Sequence, residues 1–227
     1  MISKNLKIIL IILVIIVLFG VGILYFLIDK TNIPDGEEEF PYLIDFSKAN
    51  NIQEAQLERL KQDYELAVEK YKENPNSFNA LMSFAFIYYQ LGDYEKARDV
   101  YIKVGEISLK NYTSFWNLGN VYLKLEDYPN AEIAYLKTIE NGPDQPRHYI
   151  ALAELYWYYL PEKKEQIPDL YKKGLEALPK DYGLLVNLAT YYKETGDKKN
   201  SLKYFQEIIK NYPDYKEEIQ EEIDTFK

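Results

Sequence analysis

The chain of 227 residues has no cysteine and a single histidine, His148. It therefore forms no disulfide, and it offers neither a thiolate metal site nor a cysteine nucleophile. One histidine without cysteine does not build a usual zinc site. His148 follows Arg147 near the start of a predicted helix, and we expect it to lie at the surface. No metal and no cofactor is therefore expected.

Basic side chains are outnumbered, since 27 lysines and arginines face 36 aspartates and glutamates. Nucleic-acid binding needs a basic surface to meet phosphates, so we expect no nucleic-acid partner. The sequence also lacks a glycine-rich phosphate loop and a G-x-S-x-G motif. Pairs of acids such as Glu221 and Glu222 fall in a predicted linker or on solvated helix faces. No residue has the setting of a catalytic group, and we predict that the chain is not an enzyme.

Long apolar runs are confined to the N-terminus. The run begins at Ile8 and ends at Ile28 without a charged residue. As a helix it would be roughly 30 Å long, the thickness of the hydrocarbon core of a bilayer. A cleaved signal peptide has a shorter apolar region and a small-residue cleavage site, neither of which is present here. A buried core helix would have a polar face, which this run lacks. Residues 1–28 are therefore predicted to be a tail and a single-pass transmembrane helix.

The basic residues around this helix predict its orientation. Lys4, Lys7 and the amino terminus precede it, whereas Lys30 alone follows closely. Because basic flanks stay on the cytoplasmic side, the N-terminus is predicted to be cytoplasmic. The rest of the chain would then be extracytoplasmic, either periplasmic or extracellular.

Residues 29–50 are predicted to be an acidic linker, rich in proline and glycine. Several apolar residues near its end are unusual for a free linker. These are Phe40, Tyr42, Leu43, Ile44 and Phe46. We expect them to dock on the first helix of the following domain as a cap, with a partner-binding motif as the alternative.

The body of the chain repeats with a period of 34 residues. Tyr88, Tyr122 and Tyr156 are each 34 residues apart, and Tyr192 follows after 36. Apolar residues within each period recur at spacings of three, four and seven, which place them on one face of a helix. The spacing predicts two helices in each period.

The second period shows the pattern best, with F-x-x-L-G-x-x-Y over residues 115–122 and A-x-x-x-Y over residues 131–135. It resembles the tetratricopeptide repeat, with Phe in place of the usual Trp. Gly119 would let paired helices approach closely, and Pro143 would mark the end of the second helix. Gly92 suits the end of a helix, where a residue in the left-handed conformation is often needed.

The resemblance implies an all-α fold, a solenoid of about four helix pairs with flanking helices behind the transmembrane helix. The third pair has two extra residues in its inter-helix loop. The predicted domain covers residues 51–227. Its units are 51–77 (partial), 78–111, 112–145, 146–181, 182–215 and a capping helix, 216–227.

The resemblance also implies that the first helix of each unit lines a concave groove that binds a peptide or protein. The predicted groove residues flank the repeated core residues on the first helices, so their side chains are expected to point into the groove. They are Met82, Phe86, Tyr89, Gln90, Trp116, Asn117, Asn120, Lys124, Arg147, Ile150, Glu154, Trp157, Tyr158, Val186, Asn187, Thr190 and Lys193. The family's carboxylate clamp would fall on Met82, Phe86, Asn117, Arg147 and Ala151. Only Asn117 and Arg147 fit it, so apolar or amide-rich ligands are expected instead.

These features predict a membrane-tethered scaffold or adaptor that binds a protein or peptide, in envelope assembly or secretion. For each aromatic residue of the groove set, the alternative is that its ring packs against a neighbouring unit or against the N-terminal segment. A self-associating structural protein that organises a membrane complex as a homo-oligomer is the alternative function.

Overall fold

The computed structural model describes residues 40–49 and 52–225. The chain divides into two units, Met1–Leu43 and Ile44–Lys227, and the described helices lie in the second. None of these helices combines the length and the apolar composition of a membrane span. The predicted transmembrane segment, residues 8–28, lies outside the described residues.

The described residues contain ten α-helices and three short 3-10 helices. The α-helices are α1 (Glu54–Glu73), α2 (Phe78–Gln90), α3 (Tyr94–Ile107), α4 (Tyr112–Lys124), α5 (Tyr128–Asn141), α6 (Pro146–Tyr158), α7 (Ile167–Ala177), α8 (Tyr182–Glu194), α9 (Lys198–Asn211) and α10 (Lys216–Asp224). The 3-10 helices are Phe46–Lys48, Pro161–Gln166 and Pro213–Tyr215. Each α-helix packs against the next along the chain, and α6 also contacts α8. This sequential stacking of helix pairs is an all-helical solenoid, as predicted.

Three of the described first helices, α2, α4 and α8, begin at capping side chains in equivalent repeat positions, namely Ser77, Asn111 and Asp181. Asn111 accepts hydrogen bonds from the backbone N–H groups of Thr113 and Ser114 at the start of α4. Asp181 does the same for Leu184 in α8, at 2.9 Å. Each such cap typically contributes about 1 kcal/mol.

The turns within three pairs share a left-handed residue. Gly92 and Gly196 have φ angles of 78° and 80°, as expected for Gly92, and Glu126 has 57° at the same repeat position. The following aspartate then donates its N–H back to the helix, as Asp127 does to the Tyr122 carbonyl at 2.9 Å. The local sequence therefore determines where the first helix ends and the second begins.

The close approach predicted at Gly119 occurs between α4 and α5. A Cβ atom at Gly119 would lie 2.6 Å from Cε1 of Tyr135. The Tyr135 ring is buried, and its hydroxyl donates to Oδ1 of Asn120 at 2.8 Å. The ring therefore lies directly on the α4 backbone, which only a residue without a side chain permits.

The core runs between the paired helices. Each second helix contributes one large buried ring to it at the same repeat position. These rings belong to Tyr101, Tyr135, Tyr171 and Phe205. Small buried residues such as Ala97 and Ala131 lie where the paired helices cross.

The longer connection of the third pair forms the 3-10 helix Pro161–Gln166. Lys163 in this segment makes a salt bridge with Glu132 of α5. The Tyr156 hydroxyl donates to the other carboxylate oxygen of Glu132 at 2.7 Å. The insertion is therefore fixed to the preceding pair.

Both ends of the described solenoid are covered. The Phe46 ring contacts Tyr64 of α1 edge-on, with centroids 5.7 Å apart, as expected for a cap. Docking of Phe40, Tyr42 and Leu43, which belong to the other unit, stays a prediction. At the far end, α10 buries Ile219 and Ile223 in the core. Phe226, near the end of the predicted capping helix, lies outside the described residues.

The surface position predicted for His148 is wrong, because its side chain is 0% exposed. Its ring lies beside Tyr112 and Trp116 of α4, with centroids 5.0 and 5.4 Å away. Nδ1 is 2.8 Å from the Gly142 carbonyl and donates to it. A Cβ at Gly142 would be 3.1 Å from the imidazole, so this glycine leaves the space that the ring fills. The position of His148 near the start of α6 gave no sign that this turn of the helix faces α4.

Candidate functional site

Two pockets on the first helices bring together many of the predicted groove residues. The smaller, of about 70 Å³, lies where α2 and α4 meet. It is lined by Phe86, Tyr89, Tyr101, Asn117 and Asn120. Four of these five were predicted, and Tyr101 reaches the pocket from the second helix α3.

Buried tyrosines orient the two amides of the smaller pocket. Asn120 accepts from the Tyr135 hydroxyl, and the Tyr101 hydroxyl is hydrogen-bonded to Asn117. Burial raises the pKa of both phenols, so they remain neutral at physiological pH. Fixed amides on a helix surface can pair with the backbone of an extended peptide.

The larger pocket, of about 220 Å³, lies between α6, α7 and α8. It includes five predicted residues, Glu154, Trp157, Tyr158, Asn187 and Thr190. The others that line it are Ala153, Ile167, Tyr171, Tyr191 and Glu194. We call it the α6–α8 pocket.

Aromatic rings form one side of the α6–α8 pocket. Trp157 and Tyr191 meet edge-on with centroids 5.9 Å apart. The Tyr191 hydroxyl donates to the backbone carbonyl of Lys164 at 3.1 Å, which fixes this ring. Tyr158 is 71% exposed at the rim. The fixed pair of Trp157 and Tyr191 beside the exposed ring of Tyr158 is typical of anchor positions in protein interfaces.

The electrostatics of the α6–α8 pocket are acidic. Glu154 of α6 and Glu194 of α8 are exposed, and both line it. Burial raises the pKa of Tyr171, and the nearby carboxylates of Glu154 and Glu194 raise it further. No lysine or arginine is among the lining residues.

Three predicted groove residues, Trp116, Ile150 and Val186, pack against the core, and Trp116 also contacts His148 of the next unit. All are half-buried against the core. Arg147, which is exposed, places its guanidinium 5.5 Å from the Trp116 ring centroid. The alternative of packing against a neighbouring unit therefore describes the Trp116 side chain better than an open groove does.

The remaining predicted residues lie outside the two pockets. Met82 and Gln90 are half-buried, and Gln90 accepts a hydrogen bond from Gln56 of α1. Lys124 is exposed. Lys193 donates to Glu222 and Thr225 at 2.6 and 2.9 Å, so it links α8 to the C-terminal segment. Lys193 thus holds the end of the solenoid.

Sequence reasoning missed three residues that give the α6–α8 pocket its character, Tyr171, Tyr191 and Glu194. Tyr191 and Glu194 are four and seven positions after Asn187, so helical spacing could have found them. Tyr171 comes from the second helix of the third unit, and no spacing within the first helices predicts that it reaches the same pocket. In the described part of the chain, no group of three or more His, Asp or Glu side chains is arranged to hold a metal.

Comparison with known proteins identifies the tetratricopeptide repeat along the chain. Family models described as TPR repeat and Tetratricopeptide repeat match residues 86–126, 116–182 and 184–215. Mouse (Mus musculus) Tetratricopeptide repeat protein 8 is 25% identical over 148 residues, 64% of this chain. The matched region spans only 27% of that longer relative.

Solved structures share the fold at low identity. MamA 41-end from Desulfovibrio magneticus RS-1 is 20% identical with a TM-score of 0.54, covering 74% of this chain and 96% of that one. YrrB, described as a TPR protein with an unusual peptide-binding site, is 16% identical with a TM-score of 0.52. That match covers 78% of this chain and 87% of YrrB. At these identities the likeness concerns the fold alone.

Proposed function

Because the chain belongs to the tetratricopeptide repeat family, we propose that it is a membrane-tethered scaffold that binds a peptide or protein partner. The observation that supports this most is the α6–α8 pocket, which joins predicted groove residues of two units. Aromatic, amide and carboxylate groups converge there, and Tyr158, Glu154 and Glu194 among them are exposed. Such a surface suits recognition of a partner segment, and no catalytic role is proposed.

Tethering would be provided by residues 8–28, with the N-terminus in the cytoplasm and the repeats outside it. Confinement to a membrane raises the effective concentration of the scaffold for partners on the same surface. This arrangement would suit envelope assembly or secretion. A reporter that is active only outside the cytoplasm, fused after Lys227, tests the topology. Activity of a cytoplasmic reporter at that position would contradict it.

Site-specific photo-crosslinking in cells tests partner binding. A photoreactive phenylalanine replaces Tyr158, which is exposed at the rim of the α6–α8 pocket and tolerates an aromatic analogue. The matched control carries it at Lys199, exposed on the second helix α9. We expect a distinct product from Tyr158 alone, lost when Thr190→Trp fills the pocket. Equal products from both positions would contradict a binding role for this surface.

Self-association remains the second candidate, because apolar side chains are exposed on consecutive second helices. Ile102 of α3 is 38% exposed, and Ile133 and Leu136 of α5 are 65% and 45% exposed. Sedimentation of the full-length chain in detergent separates the two ideas. A single protomer in each micelle at micromolar concentration would count against self-association, and Ile133→Asp should dissociate any oligomer that uses this face.

A further inference from the structure

We propose that the α6–α8 pocket receives a lysine or arginine side chain of the partner. This inference rests on the proposed function and specifies the chemistry of the partner: a basic segment of a protein. It differs from the apolar or amide-rich ligands expected from the sequence. The charges of the pocket and its aromatic side support the inference independently of each other.

Two carboxylates give the α6–α8 pocket its negative charge. Glu154 and Glu194 extend from neighbouring first helices into one pocket. Within the described part of the chain neither carboxylate forms a salt bridge. An acidic segment would be repelled here, and an apolar one would remove water from two carboxylates without replacing its hydrogen bonds. A guanidinium or ammonium supplies both charge and donors.

The charged neighbours outside the pocket leave this balance acidic. Glu165 is close enough to Tyr191 to raise the pKa of its phenol, after burial, which is the larger cause. Lys164 is the opposing charge, and its Nζ lies 4.4 Å from the Trp157 ring centroid. Three carboxylates therefore surround the site against one ammonium. The formal net charge of −9 for the chain also favours the approach of a basic segment.

The aromatic side is chemically suited to a cation. Trp157, Tyr158 and Tyr191 line the pocket, and cations bind to the faces of such rings. Lys164 already places an ammonium over Trp157 without itself lining the pocket, which shows that this indole accepts a cation. Asn187 and Thr190 also line the pocket and add hydrogen-bonding groups that can hold the backbone of the partner.

Peptide selection tests the inference. Random linear heptapeptides displayed on phage are selected against the full-length chain in detergent micelles. The affinity of the best peptide is then measured by fluorescence anisotropy for the wild type and for Glu154→Gln/Glu194→Gln. The control, Glu73→Gln/Glu106→Gln, removes the same charge from exposed positions of α1 and α3. All four substituted glutamates are at exposed positions, so the helical content measured by circular dichroism should not change.

We expect a basic residue at one position of the selected peptides. The pocket variant should bind them about tenfold to a hundredfold more weakly, and the control variant should bind them like the wild type. Replacing the peptide's basic residue with acetyl-lysine should weaken binding to the wild type by at least about tenfold but change binding to the pocket variant less than about twofold.

The remaining outcomes separate the two proposals. Peptides that bind without a basic residue, or that bind the pocket variant and the wild type equally, would overturn the cation inference and leave peptide binding intact. Failure to select any binding peptide would count against peptide recognition itself, and the cation inference would fall with it.

Discussion

Replacing Glu126 with glycine is expected to stabilise the protein, because the α4–α5 turn holds a non-glycine residue in a left-handed conformation. The φ angle of Glu126 is 57°, whereas glycine occupies the equivalent position in two other pairs, at Gly92 and Gly196. All three turns close with the same backbone hydrogen bond, of 2.8–2.9 Å, from the next aspartate to a tyrosine carbonyl. The geometry is thus shared, and the residue type differs.

The magnitude follows from two opposing effects. A residue with a side chain in this conformation costs about 1–2 kcal/mol relative to glycine. Glycine makes the unfolded chain more flexible, which offsets about 0.4–1 kcal/mol of that gain. At the midpoints of these ranges, Glu126→Gly should raise the free energy of unfolding by about 0.8 kcal/mol, or the Tm by roughly 2–3 °C. Gly92→Ala should lower it by about 1 kcal/mol, since a Cβ there meets no atom within 4 Å and only the backbone is strained.

Thermal unfolding of the full-length chain in detergent, followed by circular dichroism, measures both changes. Glu126→Ala is the matched control, because it removes the exposed carboxylate but keeps the left-handed backbone. We expect its Tm to remain within about 1 °C of the wild type. If Glu126→Ala stabilised the protein as much as Glu126→Gly, the gain would come from the lost charge, and the backbone argument would be refuted.

Three further changes test the packing. Gly119→Ala should lower the free energy of unfolding by about 1–3 kcal/mol because its methyl group meets the buried Tyr135 ring, despite alanine's helix propensity; a denaturant titration that showed a gain would contradict the close approach. Ile223→Ala should cost about 2–4 kcal/mol by the same assay, with Glu221→Ala, exposed on the same helix, as the control. Burial lowers the pKa of His148. The unfolded chain therefore binds its proton more readily, and stability should fall as the pH drops through about 6.5. Unfolding free energies at pH 7.5 and 6.0 check this, and since the chain has one histidine, His148→Gln should lose most of that dependence.

The sequence alone determined the fold, because the features that define a helix pair are local. Helical spacing of apolar residues predicts the helices, and Gly92 and Gly119 mark a turn and a close approach that a side chain would strain or block. Repetition of these signals along the chain predicts successive helix pairs, and the resemblance to the tetratricopeptide repeat implies that they stack into a solenoid. The resemblance also implied that first helices line the groove, and Glu154, Trp157 and Asn187 of two first helices do line one pocket.

Only the tertiary structure decided which of these side chains face an open pocket and which fill seams between units. Trp116 and Trp157 occupy comparable faces of first helices, yet Trp116 packs beside the buried His148 while Trp157 lines the α6–α8 pocket. Their different roles depend on contacts between helices that lie far apart in sequence, including Tyr171 from α7 and Gly142 after α5. Spacing within one helix predicts the face of a residue, but the residue opposite that face is set by how neighbouring pairs stack.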